Sequence, residues 1–252
     1  MATAWERGDV APDGEGETAG EAALQVTART RVRRLPERGR HDWATIAAVL
    51  DEALVCHVGL VAGGTPVVIP TAHARHGRTL YLHGAPASRL LLGLREGVEV
   101  CVTATVLDGL VLARSLFHHS LNYRSVVCFG RAVEVTDVDE KEAALRRFAE
   151  HVLPGRAAEV RPPTRGELMA TRVLSLRIDE ASAKLRTGPP IDDAGDLELP
   201  VWAGVVPVGL AMGTTVAETP ELAVPASVQG AVAAPRYAMG AGFAAGTGEN
   251  SG

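Results

Sequence analysis

The chain has 252 residues, of which 46% are apolar and 22% charged, and its net charge is −5. This is the balance of a soluble globular protein, and it argues against nucleic acid as the main partner, because nucleic-acid binders concentrate positive charge to neutralise phosphates. Aromatic residues make up only 4%, so Val, Leu and Ala must fill the core.

Residues 1–24 are polar and show no periodicity, so they bury too little apolar surface to offset ordering entropy and are expected to be disordered. They are acidic and Gly-rich, without the basic start and apolar run of a signal peptide. No apolar run approaches the ~20 residues of a membrane span, and a cytoplasmic protein without membrane contact is expected. The basic run Arg29, Arg31, Arg33, Arg34, Arg38 and Arg40 reads as a solvated arm lying on the domain. Asp42 is placed to cap a helix in which Ile46, Val49, Leu50 and Ala53 recur on one face. Val55–Val61 and Pro66–Thr71 read as a hairpin across Gly63-Gly64, a dipeptide that reaches positive φ without cost. Thr79–His83 is a third strand, and Ser88 can open a short helix, Arg89–Glu96, closed by Gly97.

Val98, Val100, Val102 and Ala104 alternate with Glu99, Cys101, Thr103 and Thr105, the pattern of a half-buried strand. Strands are expected again at Gly109–Leu116 and Ser125–Val135. Asp137 with Glu140, and Thr164 with Glu167, resemble the capping pairs that open helices, and Leu145, Phe148 and Val152 face inward from the first of these. Val173–Ile178 is the last clear strand. From about Val208 the chain becomes Ala-, Gly- and Pro-rich, and residues 208–252 are expected to form a flexible tail around a domain at 25–207. About seven short strands with three or four helices and no regular βαβ alternation argue against a doubly wound sheet and favour a mainly β fold, an antiparallel barrel decorated by helices. Cys56, Cys101 and Cys128 lie in apolar strands and form no CxxC, which reads as buried thiols in a reducing compartment.

Three places carry residues suited to chemistry. Ser88-Arg89 would put a hydroxyl and a guanidinium at a helix N-terminus, where unpaired N–H groups suit a phosphate; a plain cap beside a surface arginine is the alternative. Val68-Ile69-Pro70-Thr71 is an apolar strand interrupted by proline, which can leave backbone groups to a ligand, or an ordinary buried strand. Leu107–Gly130 spends a strand connection on Arg114, Ser115, His118, His119, Asn122, Tyr123, Arg124 and Ser125, donors for anions and planar heterocycles, where Gly, Asn, Asp or Pro is usual. His73 follows the Pro70 strand, where a titratable ring can orient a substrate or give a proton. His73 with His76, and His118 with His119, lack the third and fourth ligands and the Cys pair or HExxH of a zinc site, so no metal is expected.

Six blocks occur in one order: HVGL (57–60), VVIPT (67–71), LYLHG…SR (80–89), DGLVLARS…NYRSVVCFG (108–130), SAKLRTGPP (182–190) and PVWAGVVP (200–207). Together they resemble the pyridoxamine 5'-phosphate oxidase superfamily of split-barrel flavoproteins, in its nitroimidazole-resistance (Nim-like) branch. The resemblance implies a homodimeric split β-barrel binding FMN at the dimer interface. It implies two-electron transfer to a small-molecule acceptor, nitro-aromatics among them. A non-catalytic flavin- or nucleotide-binding protein is one alternative. A haem-binding split-barrel protein, with His83 or His118 near the iron, is another. Carried onto this chain, it sets His83-Gly84 and Ser88-Arg89 at the flavin phosphate and Val68–Thr71 along the ring. Arg124 would meet phosphate, and Asn122 or Ser125 the polar edge of the flavin. Trp202 would stack on the ligand or anchor its segment. Leu90 stands where many relatives carry lysine.

Overall fold

The computed structural model describes residues 23–88, 93–94 and 97–233. A two-residue strand, β1 (Gly39–Arg40), leads into helix α1 (Trp43–Glu52). Asp42 caps α1 by accepting a hydrogen bond from the Thr45 N–H at 2.8 Å, satisfying one of the donors that a first turn leaves open. Ile46, Val49 and Leu50 are buried on its inner face, and Ala53 follows them into the core.

The expected hairpin forms as β2 (Val55–Ala62) and β3 (Thr65–Ala72). Gly63 and Gly64 have φ of +57° and +80°, the positive pair that a two-residue hairpin turn needs to follow the strand twist. Next come β4 (Ala74–His76) and β5 (Thr79–Gly84). Two long strands follow, β6 (Glu99–Leu112) and β7 (Ser120–Glu134). Beyond them lie α2 (Val138–Val152), α3 (Arg165–Ala170), β8 (Arg172–Arg177), β9 (Glu180–Arg186), β10 (Gly204–Pro207) and α4 (Ala226–Ala233). Asp137 caps α2 on the Glu140 N–H at 2.8 Å, and Thr164 with Glu167 closes a complete capping box on α3.

All strand pairs are antiparallel, in the order β3-β2-β6-β7-β8-β5-β4, with β10 added to β6 and β9 running between β7 and β1. β6 is one strand where two were expected. A bulge between Leu107 and Gly109 inserts one residue and turns the alternation over, so Val106, Gly109 and Val111 are all buried. β7 begins at Ser120, so Asn122–Ser125 lie within a strand and the β6–β7 connection is only 113–119.

The free edge of β7 is shared. Tyr123–Phe129 pair with β9, and Ala132–Glu134 pair with β8. Gly130 sits at the exchange, where a Cβ would come 2.6 Å from the Arg177 carbonyl oxygen and 2.8 Å from Leu176 Cδ1. Only glycine lets the β8–β9 turn cross here. The core gathers α1, β2 and β5–β9 around Leu50, Val58, Leu82, Val102 and Leu176. A second cluster seats Ala144 and Phe148 of α2 on Tyr81 and Val173.

Both expected tails lose part of their length to the fold. Leu24 is buried in the core and donates its N–H to the His41 carbonyl at 2.8 Å. At the other end, the Val208 N–H bonds the Asp108 carbonyl at 3.1 Å. Ser227, on α4, gives its N–H and hydroxyl to Glu159 at 2.9 and 2.5 Å. The described part of 208–252 therefore lies on the body of the protein. Among the described residues, no helix is long and apolar enough to cross a membrane.

Candidate functional site

β3 and β4 are the two ends of the sheet path, yet a single residue, His73, separates them in sequence. β4 pairs with β5 with Ala74 opposite Tyr81. Continued past His73, that register would bring Ala72 opposite His83 and Thr71 opposite Gly84. Among the described residues no such pairing forms: β3 bonds β2 alone, and the His83–Gly84 end of β5 bonds β8 alone. The strands nevertheless approach within 8 Å, Cα to Cα. Two backbone edges left unpaired among the described residues thus lie close together at the β3–β5 corner, here called the slit. Such edges seek a partner, whether strand, water or ligand.

The residues along this slit are those singled out from the sequence. Val68 and Pro70 are exposed on β3, while Val67 and Ile69 pack on the core. Val68 borders a shallow groove of about 560 Å³ running over Gly59 and Cys101 to Phe129. Thr71 spends its hydroxyl on the Ala72 carbonyl at 3.3 Å. His83 lies against Phe148 with ring centroids 4.1 Å apart. Its Nδ1 is buried and has no hydrogen-bond partner, and burial lowers its pKa. A buried ring nitrogen without a protein partner is open to a hydrogen bond from a water or a ligand. Gly84 ends β5 opposite Arg172. Ser88 closes the next turn, donating its N–H to the Ala85 carbonyl at 2.9 Å. Arg89 lies outside the described residues.

Sequence reasoning missed the cation that the fold brings to this turn. Arg172, at the start of β8, donates to the Pro86 carbonyl at 3.1 Å and pairs with Glu134 at 3.1 Å. Nothing local announces it, because the β5–β8 pairing spans almost ninety residues.

His73 is fully buried, with Nε2 2.8 Å from the Leu50 carbonyl oxygen. Burial pulls its pKa down to about 4. It was expected to orient a substrate or give a proton; instead it is a neutral ring enclosed between α1 and α2, packed 4.8 Å from His151.

The three residues of β7 stand apart from the slit, across β2 and β6, and each is committed within the chain. The Arg124 guanidinium holds Glu52 and Asp108 together, and these carboxylates raise its pKa. It was assigned to a phosphate, yet it already carries two counter-charges. Asn122 is buried, giving its amide to the Gly188 carbonyl at 3.1 Å and accepting from Arg186. Ser125 donates to the Lys184 carbonyl at 3.3 Å. Partners from α1, β6 and the β9 segment thus absorb the polar groups that read as a ligand cluster. His118 pairs with Asp193 at 3.3 Å.

Trp202 is 65% exposed and lays its ring on Gly204, where a Cβ would meet it at 2.8 Å. It shares one end of the molecule with an uncovered apolar surface. Leu116 and Phe117 are 96% and 88% exposed at the β6–β7 tip, and Ile191 is 70% exposed nearby. Arg114 ties the two segments together through Asp192 at 2.7 Å.

A larger cavity, about 1030 Å³, opens between α2, the end of α1, β4 and α4. Its polar lining includes Arg75, Arg146, Arg147 and His151. The sequence hid it because one wall belongs to the segment read as a tail. The available signal was Arg147 and His151, four residues apart and therefore on one helix face. Among the described residues, no three His, Cys, Asp or Glu side chains gather as a metal site.

Residues 42–185 match the sequence model of the pyridoxamine 5'-phosphate oxidase family. The flavocytochrome Anf3 from Azotobacter vinelandii is 39% identical, with a TM-score of 0.75 over 81% of this chain and 96% of its own. The FAD and haem binding protein from Mycobacterium smegmatis is 37% identical, with a TM-score of 0.72 over 77% of this chain and 97% of its own. A candidate 5-nitroimidazole antibiotic resistance protein from Bacteroides thetaiotaomicron shares the fold at 23% identity, with a TM-score of 0.51 over 58% of this chain and 85% of its own. No curated protein sequence matches the chain.

Proposed function

The chain belongs to the pyridoxamine 5'-phosphate oxidase family, and from that premise we propose that it is a flavin-dependent redox protein whose flavin lies in the slit between β3 and β5. The carrying observation is the pair of facing, unpaired strand edges at Val68–Thr71 and His83–Gly84. Backbone N–H and C=O groups of β3 can read the imide edge of an isoalloxazine ring whatever their side chains. The orphaned His83 Nδ1 supplies a further polar contact. Ser88 and Arg172 stand at the turn where a phosphate would be held. Bound there, the flavin supplies two-electron chemistry, and the protein positions it and shields it from water. The acceptor class we assign is a small oxidant, nitro-aromatics included. FMN is the flavin proposed, and FAD presents the same ring and first phosphate.

A homodimer completes this reading. The apolar surface at Leu116, Phe117, Ile191 and Trp202 is of the kind that marks a protein contact, and a second copy of the chain is its proposed occupant. The haem reading also has support, since the two relatives above 35% identity are a flavocytochrome and a FAD and haem binding protein. We therefore extend the proposal to a protein carrying haem beside its flavin.

The absorption spectrum of the purified full-length protein tests this first. Visible absorption bands of an oxidised flavin are expected, bleaching when a reductant is added. Ser88→Asp, which sets a carboxylate where the phosphate belongs, should weaken FMN and FAD by roughly tenfold or more. A colourless protein that binds neither flavin would overturn the reading. Light scattering should give twice the chain mass.

A further inference from the structure

The wall that α4 gives to the large cavity is held unlike the others. No residue of 208–233 is buried, whereas α2, which also lines the cavity, seats Ala144 and Phe148 in the second core cluster. Residues 208–225 form neither helix nor strand, and α4 spans eight described residues with Gly230 in its interior. Isolated helices shorter than about 12 residues are marginal in water, and an interior glycine weakens them further. α4 therefore keeps its place and its shape through what it touches.

Among the described residues, the hydrogen bonds that reach from 209–233 to the rest of the chain all leave Ser227 and end on Glu159. The Ser227 N–H and hydroxyl meet the two carboxylate oxygens at 2.9 and 2.5 Å. Ser227 lies in the first turn of α4, where N–H groups lack helical partners and the dipole favours an anion. The Ser227 bonds, with Arg156 at 3.2 Å from the same carboxylate, hold the Glu159 carboxyl below its ordinary pKa. One charged group thus makes the attachment, and Glu159 itself does not line the cavity. Behind the attached segment lies a space of about 1030 Å³, at the upper end of the ~300–1,000 Å³ of small-molecule pockets. Met212, Ala226, Ser227, Gly230 and Ala231 close one side of it. The walls from α1, α2 and β4 belong to elements rooted in the two cores. A segment with no buried residue and one tether opens before the body it covers.

We propose that residues 209–233 form a lid over this cavity, latched by Glu159 on Ser227. Breaking the latch moves α4 away and admits a small molecule, while both cores stay folded. The lid turns about Val208, whose N–H is pinned to the Asp108 carbonyl at 3.1 Å. The device controls access, as lids do in general, and it is independent of what fills the slit between β3 and β5.

A thiol placed on the α2 wall of the cavity tests the lid. Full-length protein carrying Ala143→Cys is treated with a maleimide, and peptide mapping separates labelling at position 143 from labelling at Cys101. With the latch intact, position 143 should react slowly. Adding Glu159→Ala should speed it by roughly tenfold or more, the effect of losing about one charge-assisted hydrogen bond. Ser227→Ala, which removes the hydroxyl bond and keeps the N–H, should speed it less. Amide exchange across 226–233 should rise with Glu159→Ala by a similar factor, while exchange in α2 and the Tm stay as in wild type. Equal labelling rates with and without Glu159 would overturn the proposal. So would labelling as fast as that of an unfolded control while the latch is intact, because the cavity would then be open with α4 in place. If exchange in α2 rises as much as exchange in α4, the substitution loosens the whole body, and the lid reading falls. Where Ala143→Cys disturbs folding, the comparison of α4 with α2 exchange in Glu159→Ala alone decides in the same way.

Discussion

Arg124 and Glu52 join the middle of the sheet to the end of α1 through a two-pronged ion pair, and the same guanidinium holds Asp108 at the β6 bulge. The bulge is what aims Asp108 at Arg124. Both carboxylates are largely buried, with side-chain exposures of 21% and 13%. Removing the arginine leaves two like charges together without a partner. Arg124→Met should cost about 2–3 kcal/mol and lower Tm by roughly 4–10 °C. Adding Glu52→Gln and Asp108→Asn to the same chain should recover most of the loss. A single variant melting within 2 °C of wild type, on the order of ~0.5 kcal/mol, would show that the pair does not stabilise the fold.

Gly130→Ala should destabilise by about 3 kcal/mol, at the high end for overpacking. The added carbon meets a backbone oxygen, which cannot move aside as a side-chain tip can. Denaturant melts of wild type and variant provide the measurement. An unchanged midpoint would show that the β8–β9 turn relaxes without cost.

Tyr81 donates its hydroxyl to Glu140 at 3.1 Å. Burial first, then the Glu140 charge, pushes its pKa up to about 12 from an ordinary 10.0. In that window the unfolded chain releases the proton before the folded one does. The stability Tyr81 contributes is therefore complete below about pH 10 and lost as pH rises through 12. Tyr81→Phe should cost about 1 kcal/mol at pH 7 and flatten this alkaline loss. Equal pH slopes for wild type and variant between pH 10 and 12, spanning roughly that ionisation, would count against it.

The three thiols should separate by reactivity. Burial pushes Cys56 up to about 12 and raises Cys128 and Cys101 as well. Thiolate is the reactive form, so Cys56 and Cys128, both fully buried, should not react with a disulfide reagent at pH 8. Only half-buried Cys101 should label, slowly, in the native protein, and all three after unfolding in denaturant. Rapid labelling of two or more native thiols would contradict the packing of β2 and β7.

Local signals in the sequence carried the local structure. The Gly63-Gly64 turn, the Asp42 and Asp137 caps and the Thr164 capping box all depend on residues within four positions of one another, and all stand in the fold. The β7 cluster misled for the opposite reason. Asn122, Arg124 and Ser125 look like idle polar groups until Gly188, Glu52, Asp108 and Lys184 come to meet them from other parts of the chain. β9 was missed because its Ser, Lys and Arg interrupt an apolar run, although Ala181 and Ala183 are buried. For the proposed site, the sequence singles out Val68–Thr71 and His83–Gly84, and the fold sets them on β3 and β5. The slit between them was not legible there, since it arises from a pairing that the fold withholds.

The sharing of β7 between β8 and β9 has a consequence during synthesis. β7 ends at Glu134, and the strands that complete its free edge span 172–186. At ~5–20 residues per second, the ribosome takes several seconds to make the stretch between them. Throughout that interval a fifteen-residue strand has β6 on one side and an open row of backbone donors and acceptors on the other. A nascent chain in that state can pair with its neighbour on the same message before its own C-terminal third arrives. Yield of folded protein should therefore depend on how quickly translation passes from codon 135 to codon 186, and slow codons placed there should raise aggregation without altering a single residue.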